Sequence, residues 1–256
     1  MKTSLIILGC GSSVGVPRID GVWGNCDKNN RKNLRSRCSA FISKGKNSIL
    51  IDTSPDIRTQ LLKNKINYIN SVIYTHEHAD QTNGLFELRP FYWKNKKKIQ
   101  IYGDLKTIKY LKKRQEYLFK KLSDYPPIVK ANIVNSKFSL GEKKEKINFK
   151  AISTKHGKTS SLVYIFEKTA YISDCNDLSI INMKELKSLN HLIIDCLRYK
   201  KHHSHFNLKE CLFIKSKLSP KKMILTNLHH DLDYKFLLKK IPSNVIPAYD
   251  GLKINL

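Results

Sequence analysis

Residues 75–80 read Thr-His-Glu-His-Ala-Asp and directly follow the apolar run Ser-Val-Ile-Tyr of residues 71–74. Two histidines and one aspartate therefore stand at alternating positions just beyond a predicted strand end. Such an arrangement can aim imidazole and carboxylate groups at one point above the edge of a sheet. These groups are preferred ligands of Zn²⁺, Mn²⁺ and Fe²⁺. The stretch therefore predicts a metal site.

The length of the chain suits one large domain or at most two small ones, and we expect a single domain over residues 1–256. No apolar stretch approaches the length of a bilayer span, so we expect no membrane partner. Residues 5–10, Leu-Ile-Ile-Leu-Gly-Cys, resemble a lipoprotein signal, but their apolar core of four residues is shorter than the roughly 7–15 that a signal needs. We therefore expect a buried first strand and a cytoplasmic protein.

The formal net charge of +26 at pH 7 would attract a polyanion such as a nucleic acid. Lysine, asparagine and isoleucine are all abundant, however, which is typical of a protein encoded by a genome poor in G and C. The lysines are also spread along the chain. A nucleic-acid partner therefore stays open but is not favoured, and the sequence likewise leaves a homodimer open. The six cysteines include no CxxC pair, and we expect them to be reduced.

Short runs rich in Val, Ile, Tyr and Phe, bounded by Gly, Asn, Ser and Asp, predict β-strands. They lie at residues 3–9, 38–43, 48–52, 71–75, 99–102, 146–152, 161–167, 169–173, 191–196 and 222–227. Helical periodicity and polar caps predict helices at residues 55–65, 105–121, 177–188, 207–217 and 231–240. Strands cluster in the first half and again in the second, with helices between them. This order predicts an α/β fold of two sheets packed face to face with helices outside.

Further histidines and aspartates stand at or just after the ends of other predicted strands. They are His156, Asp174 and the adjacent pair His229 and His230. A lone histidine is usually a core or surface residue. A metal site, in contrast, needs ligands that converge from several strand-end loops, and that is the pattern here.

The order of these residues resembles the metallo-β-lactamase superfamily of hydrolases. The shared pattern is His-x-His-x-Asp-His, then a single His, a single Asp after a strand and a final His, and the resemblance spans nearly the whole chain. It implies a four-layer αββα sandwich of two mixed β-sheets flanked by helices. One branch, the phosphoribosyl cyclic phosphodiesterases and their relatives, is similar in more detail. The segments that carry this similarity are residues 8–17 (Leu-Gly-Cys-Gly-Ser-Ser-Val-Gly-Val-Pro), 37–39, 50–56, 83–85 and 249–251.

The resemblance implies one or two divalent ions, zinc or manganese, with iron as a further alternative. His76, His78 and His156 would hold the first ion. Asp80, the residue after it and the final histidine would hold the second, and Asp174 would bridge the two.

Two residues depart from the pattern of the family. Gln81 stands where the family usually has His, and an amide oxygen is a harder, weaker ligand that suits Mn²⁺ better than Zn²⁺. Asn227 stands where more distant relatives have the final ligand His. We therefore assign the final position to His229, with His230 as the substitute, and expect the second site to be weak, empty or selective for manganese. The predicted ligands are His76, His78, Asp80, Gln81, His156, Asp174 and His229.

Two residues are predicted to act in catalysis. In the resembling phosphodiesterases, a histidine of the loop after residues 191–196 faces the scissile phosphate, and His205 best matches that histidine. A protonated imidazole there would stabilise charge and protonate the leaving oxygen, whereas the alternative is a solvated basic loop. Asp80 would orient or deprotonate the attacking water. Asp52 and Asp195 are expected either to orient a histidine or to serve as turn residues.

These features predict a metal-dependent phosphodiesterase that acts on a small phosphodiester, for example a cyclic ribose phosphate or nucleotide, through a metal-bound hydroxide. Three alternatives stay open. An endoribonuclease resembling the tRNA 3′-processing enzymes would account for the positive charge. A thioester or lactone hydrolase would use the same metal site. A catalytically degenerate binding protein, depleted of metal, would account for Gln81 and Asn227.

Overall fold

The computed structural model describes residues 1–179, 181 and 183–256, which form two seven-stranded β-sheets. Strands are numbered in chain order. The first sheet contains β1 (Ser4–Gly9), β2 (Ser39–Lys44), β3 (Asn47–Ile51), β4 (Ser71–Ile73), β5 (Ile99–Gly103), β6 (Val129–Ile133) and β14 (Leu252–Asn255). The second contains β7 (Lys137–Leu140), β8 (Ile147–His156), β9 (Thr159–Phe166), β10 (Thr169–Ile172), β11 (His191–Asp195), β12 (Lys222–Thr226) and β13 (Val245–Pro247).

Both sheets are mixed. The first has the order β14-β1-β2-β3-β4-β5-β6, antiparallel from β14 to β3 and parallel from β3 to β6. The second has the order β13-β12-β11-β10-β9-β8-β7, parallel from β13 to β10 and antiparallel from β10 to β7. Because the parallel strands of a sheet end at the same edge, the loops that follow them gather there. That edge carries the candidate site.

Six α-helices lie in the described part of the chain: α1 (Ile57–Lys63), α2 (Ala79–Thr82), α3 (Arg89–Asn95), α4 (Leu105–Arg114), α5 (Leu208–Leu218) and α6 (Tyr234–Lys240). Their starts are encoded locally. The Asp104 side chain accepts a hydrogen bond from the Thr107 backbone and caps α4. Asn207 and Glu210 form a reciprocal capping box at the start of α5.

Three apolar layers hold the sheets and helices together. Ile49 and Ile51 of β3 point into the layer between the two sheets, where they pack with residues such as Tyr171 and Ile193. Leu50, between them in the sequence, points to the opposite face and packs beneath α1 and α4. This alternation is the period of two of a strand that is buried on both faces. A third layer packs α5 and α6 on the outer face of the second sheet. The predicted four-layer αββα sandwich is confirmed.

All ten predicted strands are present, but four further strands were missed. They are β6, β7, β13 and β14, and these are the four edge strands of the two sheets. Edge strands are short and carry polar residues, because one side of each has no neighbouring strand. The sequence of β6, Val-Lys-Ala-Asn-Ile, has one buried residue only, at its start. In β14, Leu-Lys-Ile-Asn, buried and exposed residues do alternate, but the strand is only four residues long, so the periodicity is too short to identify it.

Two predicted helices differ from the observed ones. The helix predicted at residues 105–121 ends at Arg114 and is followed by a short 3-10 helix, Glu116–Leu118. Within the segment predicted as a helix at residues 177–188, the structure has only the 3-10 helix Met183–Leu186, and residues 180 and 182 lie outside the described residues. The other three are present at slightly shifted bounds. No helix among the described residues is both long enough and apolar enough to cross a membrane.

Candidate metal centre

Three histidines meet at the edge where the two sheets end. His76 and His78 lie in the loop after β4, and His156 is the last residue of β8. Their potential ligand atoms all lie within 4.8 Å of one another, and Nε2 of His156 is 3.3 Å from Nδ1 of His78. Nε2 of His76 is buried and has no hydrogen-bond partner in the described part of the chain. A buried imidazole nitrogen without a partner, facing two others, fits a divalent metal ion.

The orientation of His76 is fixed through Thr75. The Thr75 hydroxyl donates a hydrogen bond to Oδ2 of buried Asp52 over 2.8 Å, so it is an acceptor for Nδ1–H of His76 at 3.1 Å. The proton is therefore on Nδ1, and Nε2 keeps the lone pair that a metal needs. Burial lowers the pKa of His76 to about 4, which keeps the ring neutral. Asp52 thus acts on His76 indirectly, through Thr75.

His156 is oriented by the main chain. Its Nδ1 lies 2.8 Å from the carbonyl oxygen of Ser204, which can only accept, so Nδ1 carries the proton and Nε2 the lone pair. Burial also lowers the pKa of His156. No sequence pattern marks Ser204, because it acts through its backbone, and Thr75 was likewise not predicted.

The predicted oxygen ligands Asp80, Gln81 and Asp174 lie beside the three histidines. Asp174 follows β10, and its Oδ1 is 3.9 Å from Nε2 of His156. Gln81 donates from Nε2 to Oδ2 of Asp80 at 3.2 Å and to Oδ2 of Asp174 at 3.3 Å. Burial, together with the nearby Asp174 carboxylate, raises the pKa of Asp80 to about 6. The structure therefore brings together all the predicted ligands described so far.

His229 is the predicted ligand that the structure does not bring to Asp174. Asn227, the first residue after β12, occupies that place and donates from Nδ2 to Oδ1 of Asp174 at 3.2 Å. The chain has turned away two residues later, where the His229 backbone donates to Leu197. The ring of His229 stacks on His230 at 3.7 Å, and its Nδ1 is 3.3 Å from Oδ2 of Asp231. The departure at Asn227 was visible in the sequence, and this residue is the one that the structure places against Asp174.

The loop after β11 places His205 beside the centre. Its Nδ1 is 2.8 Å from Oδ2 of Asp195 and 3.7 Å from Oδ1 of Asp174. Although burial opposes a charged ring, Asp195 and Asp174 raise the pKa of His205 to about 9. His205 is therefore an imidazolium at neutral pH, and Nε2 is the atom left to serve a ligand.

A pocket of about 200 Å³ opens beside His205. Three loops that follow β1, β11 and β12 line it with Ser12, Ser13, Val14, Leu197, Arg198, His202, His205, Asn227 and His229. The Arg198 guanidinium, together with the imidazolium of His205, gives this pocket cationic groups suited to an anion. Arg198 was not singled out from the sequence, because surface arginines carry no distinguishing pattern.

The chain matches the family model described as the beta-lactamase superfamily domain over residues 47–229. It is 30% identical over 252 residues to a protein of Porphyromonas gingivalis (strain ATCC BAA-308 / W83) named octanoyltransferase, covering 97% of this chain and 50% of that protein. The chain therefore spans about half the length of that curated relative.

Two solved structures also resemble the whole chain. A crystal structure described as a new diphosphatase from the PhnP family superposes with a TM-score of 0.89 at 30% identity, covering 100% of this chain and 98% of the other. Human tRNase Z, short form, superposes with a TM-score of 0.69 at 17% identity over 98% of both chains, which shows a shared fold. The chain therefore belongs to the metallo-β-lactamase superfamily and, within it, to the PhnP family.

Proposed function

We propose that this chain is a metal-dependent phosphodiesterase whose substrate is a small diester of phosphoric acid. The observation that carries the proposal is the convergence of three imidazoles next to a hydrogen-bonded His205–Asp195 pair at the mouth of a cationic pocket. A pocket of about 200 Å³ suits a small ligand better than a folded nucleic acid. We propose the small diester, and no macromolecule, as the physiological partner.

His76, His78 and His156 would hold the divalent ion, with Asp174 beside them. The chemistry that such an ion supplies is activation of a water molecule and neutralisation of charge on the phosphate oxygens. Asp80 is half-buried next to this point, and its raised pKa makes it a better proton acceptor than an ordinary carboxylate. Asp80 therefore orients the attacking water and accepts its proton.

His205 acts on the leaving group, whereas Asp80 acts on the attacking water. Its Nε2–H donates to the oxygen that leaves, which lowers the energy of the alkoxide that forms. Asp195 holds the ring by Nδ1 and has no solvent exposure, so the ring cannot rotate freely. Arg198 and the backbone N–H groups of the loop after β1 bind the remaining phosphate oxygens.

A diphosphate linkage is a second candidate substrate. It is supported by the whole-length, 30% identical structure described as a diphosphatase. The phosphorus atom of such a linkage is also disubstituted, and the same residues would act on it.

The test is a substrate panel for the purified protein supplied with Mn²⁺, Zn²⁺ or Fe²⁺. The panel contains bis(p-nitrophenyl) phosphate, a cyclic ribose phosphodiester, a dinucleoside diphosphate, p-nitrophenyl phosphate, a thioester and an unprocessed tRNA. We expect turnover of the diesters, loss of at least about 100-fold in His78→Ala, and unchanged rates in His191→Ala. His191 is a matched control because it begins β11, whereas the site lies at the opposite end of that strand.

Activity confined to the thioester, or to RNA with a steep loss of affinity at high salt, would contradict the proposal. Turnover of the dinucleoside diphosphate alone would replace the diester by the second candidate.

A further inference from the structure

Two buried amides occupy the place where the family pattern has the second metal site. That site would draw on Asp80, residue 81, the residue after β12 and the shared Asp174. In this chain two of those positions are Gln81 and Asn227, whose side chains are 0% and 1% exposed. Imidazole is a stronger ligand for a first-row transition metal than an amide oxygen. The site has therefore lost both of its nitrogen ligands.

The amides also face the wrong way for a cation. Nε2 of Gln81 lies 3.2 Å from Oδ2 of Asp80 and 3.3 Å from Oδ2 of Asp174, so one amide group joins both carboxylates. Nδ2 of Asn227 lies 3.2 Å from the other oxygen of Asp174. An amide nitrogen is a donor and has no lone pair available for a metal. Both oxygens of Asp174, and Oδ2 of Asp80, are thus already bonded to amide N–H groups.

The carboxylates fix this orientation of the amides. If the Gln81 amide were turned over, its oxygen would face two carboxylate oxygens and would receive no hydrogen bond from either. In the observed orientation Nε2 faces the two acids, and Oε1 of Gln81 is buried without a hydrogen-bond partner among the described residues. Seating a second ion requires both the rotation of this amide and the loss of its two hydrogen bonds.

The first site shows the opposite chemistry. At both His76 and His156, Nδ1 has a hydrogen-bond partner, so Nε2 keeps the lone pair that a metal ion needs. We propose that this centre binds one divalent ion, through His76, His78 and His156, and that Gln81 and Asn227 replace the second ion with hydrogen-bond donors. This inference rests on the metal centre of the proposed function but not on its substrate.

The test counts and locates Mn²⁺ in the full chain after removal of metal and reconstitution. Bound metal is measured by mass spectrometry, and electron paramagnetic resonance shows whether two ions are coupled, because ions in a shared centre lie only about 3.5–4 Å apart. We expect one uncoupled ion that is lost in His78→Ala. We expect the double variant Gln81→His with Asn227→His to bind a second ion and to show the coupled spectrum. Asn227 has a φ of 60°, a conformation that histidine also tolerates.

His229, His230 and Asp231 lie in a cluster, close enough together to hold a further ion, so all proteins are also prepared with His230→Ala. An ion in that cluster is not coupled to the centre and disappears in this variant. A coupled pair in the wild-type spectrum would overturn the inference and leave the proposed function intact. No ion sensitive to His78→Ala would overturn both. If the double variant does not fold, as judged by circular dichroism, the single variant Gln81→His takes its place, and the wild-type spectrum alone still decides.

Discussion

Nδ1 of His205 lies 2.8 Å from Oδ2 of Asp195, a carboxylate that is fully buried at the end of β11. The Asp195 carboxylate also accepts the backbone N–H of Cys175 at 3.0 Å, so both partners of the pair are held in place. The pair presents Nε2 of His205 to the pocket while it sustains the positive charge of the ring. In the proposed function Asp195 is therefore a positioning residue, and His205 is the group that would meet substrate.

The first prediction separates this role from a structural one. Asp195→Asn keeps the volume but removes the charge, and we expect kcat to fall about 10- to 100-fold for a diester with an alkoxide leaving group. With p-nitrophenolate as the leaving group, which needs no proton, the loss should be small for both Asp195→Asn and His205→Ala. Paired rate measurements on the two substrates check this. An equal loss on both would mean that the substitution disturbs the whole site and not proton donation.

The second prediction concerns the hydroxyl of Thr75. Thr75→Val preserves the shape of the side chain but removes the link between Asp52 and His76, and we expect metal affinity to fall about 10- to 100-fold. Thr75→Ser retains the hydroxyl and serves as the matched control. Competition with a fluorescent chelator measures both affinities. Equal affinities of the two variants would show that the hydrogen bond does not orient His76.

The third prediction is a pH dependence of stability. Asp233 caps α6 through Phe236 and also accepts hydrogen bonds from Asn33 and Asp27. Although partial burial opposes ionisation, these hydrogen bonds lower the pKa of Asp233 below its usual value. A depressed pKa stabilises the folded state above the unfolded pKa of about 3.9, and that stabilisation is lost as the pH falls through the folded pKa.

Asp233→Ala should therefore lower the free energy of unfolding by about 1 kcal/mol at pH 7, and the difference from wild type should shrink below about pH 4. Urea unfolding at several pH values measures it. Asp124→Ala, at an exposed position, is the control and should show no such trend. A difference that grew toward acidic pH would have the wrong sign for a depressed pKa.

The fourth prediction tests the packing of the loop behind the metal ligands. A Cβ on Gly84 would lie 2.2 Å from the Ser54 carbonyl oxygen and 2.6 Å from Cγ2 of Ile57. Gly84→Ala should therefore cost about 1–3 kcal/mol of stability. Gly103→Ala, where the nearest atoms are 3.5 Å away, should cost much less. Thermal unfolding of the two variants compares them, and similar melting temperatures would count against the close approach at Gly84.

The sequence was informative where periodicity and ligand chemistry are strong. Central strands such as β3 and β11 contain uninterrupted apolar runs, Ile-Leu-Ile and Leu-Ile-Ile, and the alternating imidazoles of His76 and His78 beyond a strand end are typical of metal ligands. The edge strands were missed because they are only three to five residues long and, in all but β13, polar residues interrupt their apolar positions. The structure has Asn227 and not His229 within hydrogen-bond distance of Asp174, because two residues beyond a strand end the chain direction depends on tertiary hydrogen bonds, here the one to Leu197. Ser204 contacts His156 through its backbone carbonyl oxygen, which every residue type carries, so the sequence could not single it out.

An anomalous difference map from crystals of the zinc-loaded protein would locate the ion itself. We expect a peak about 2.0–2.1 Å from one ring nitrogen each of His76, His78 and His156, with no second peak between Asp80 and Asp174. A map with density only at His229 and His230, or with no peak among the three histidines, would contradict it.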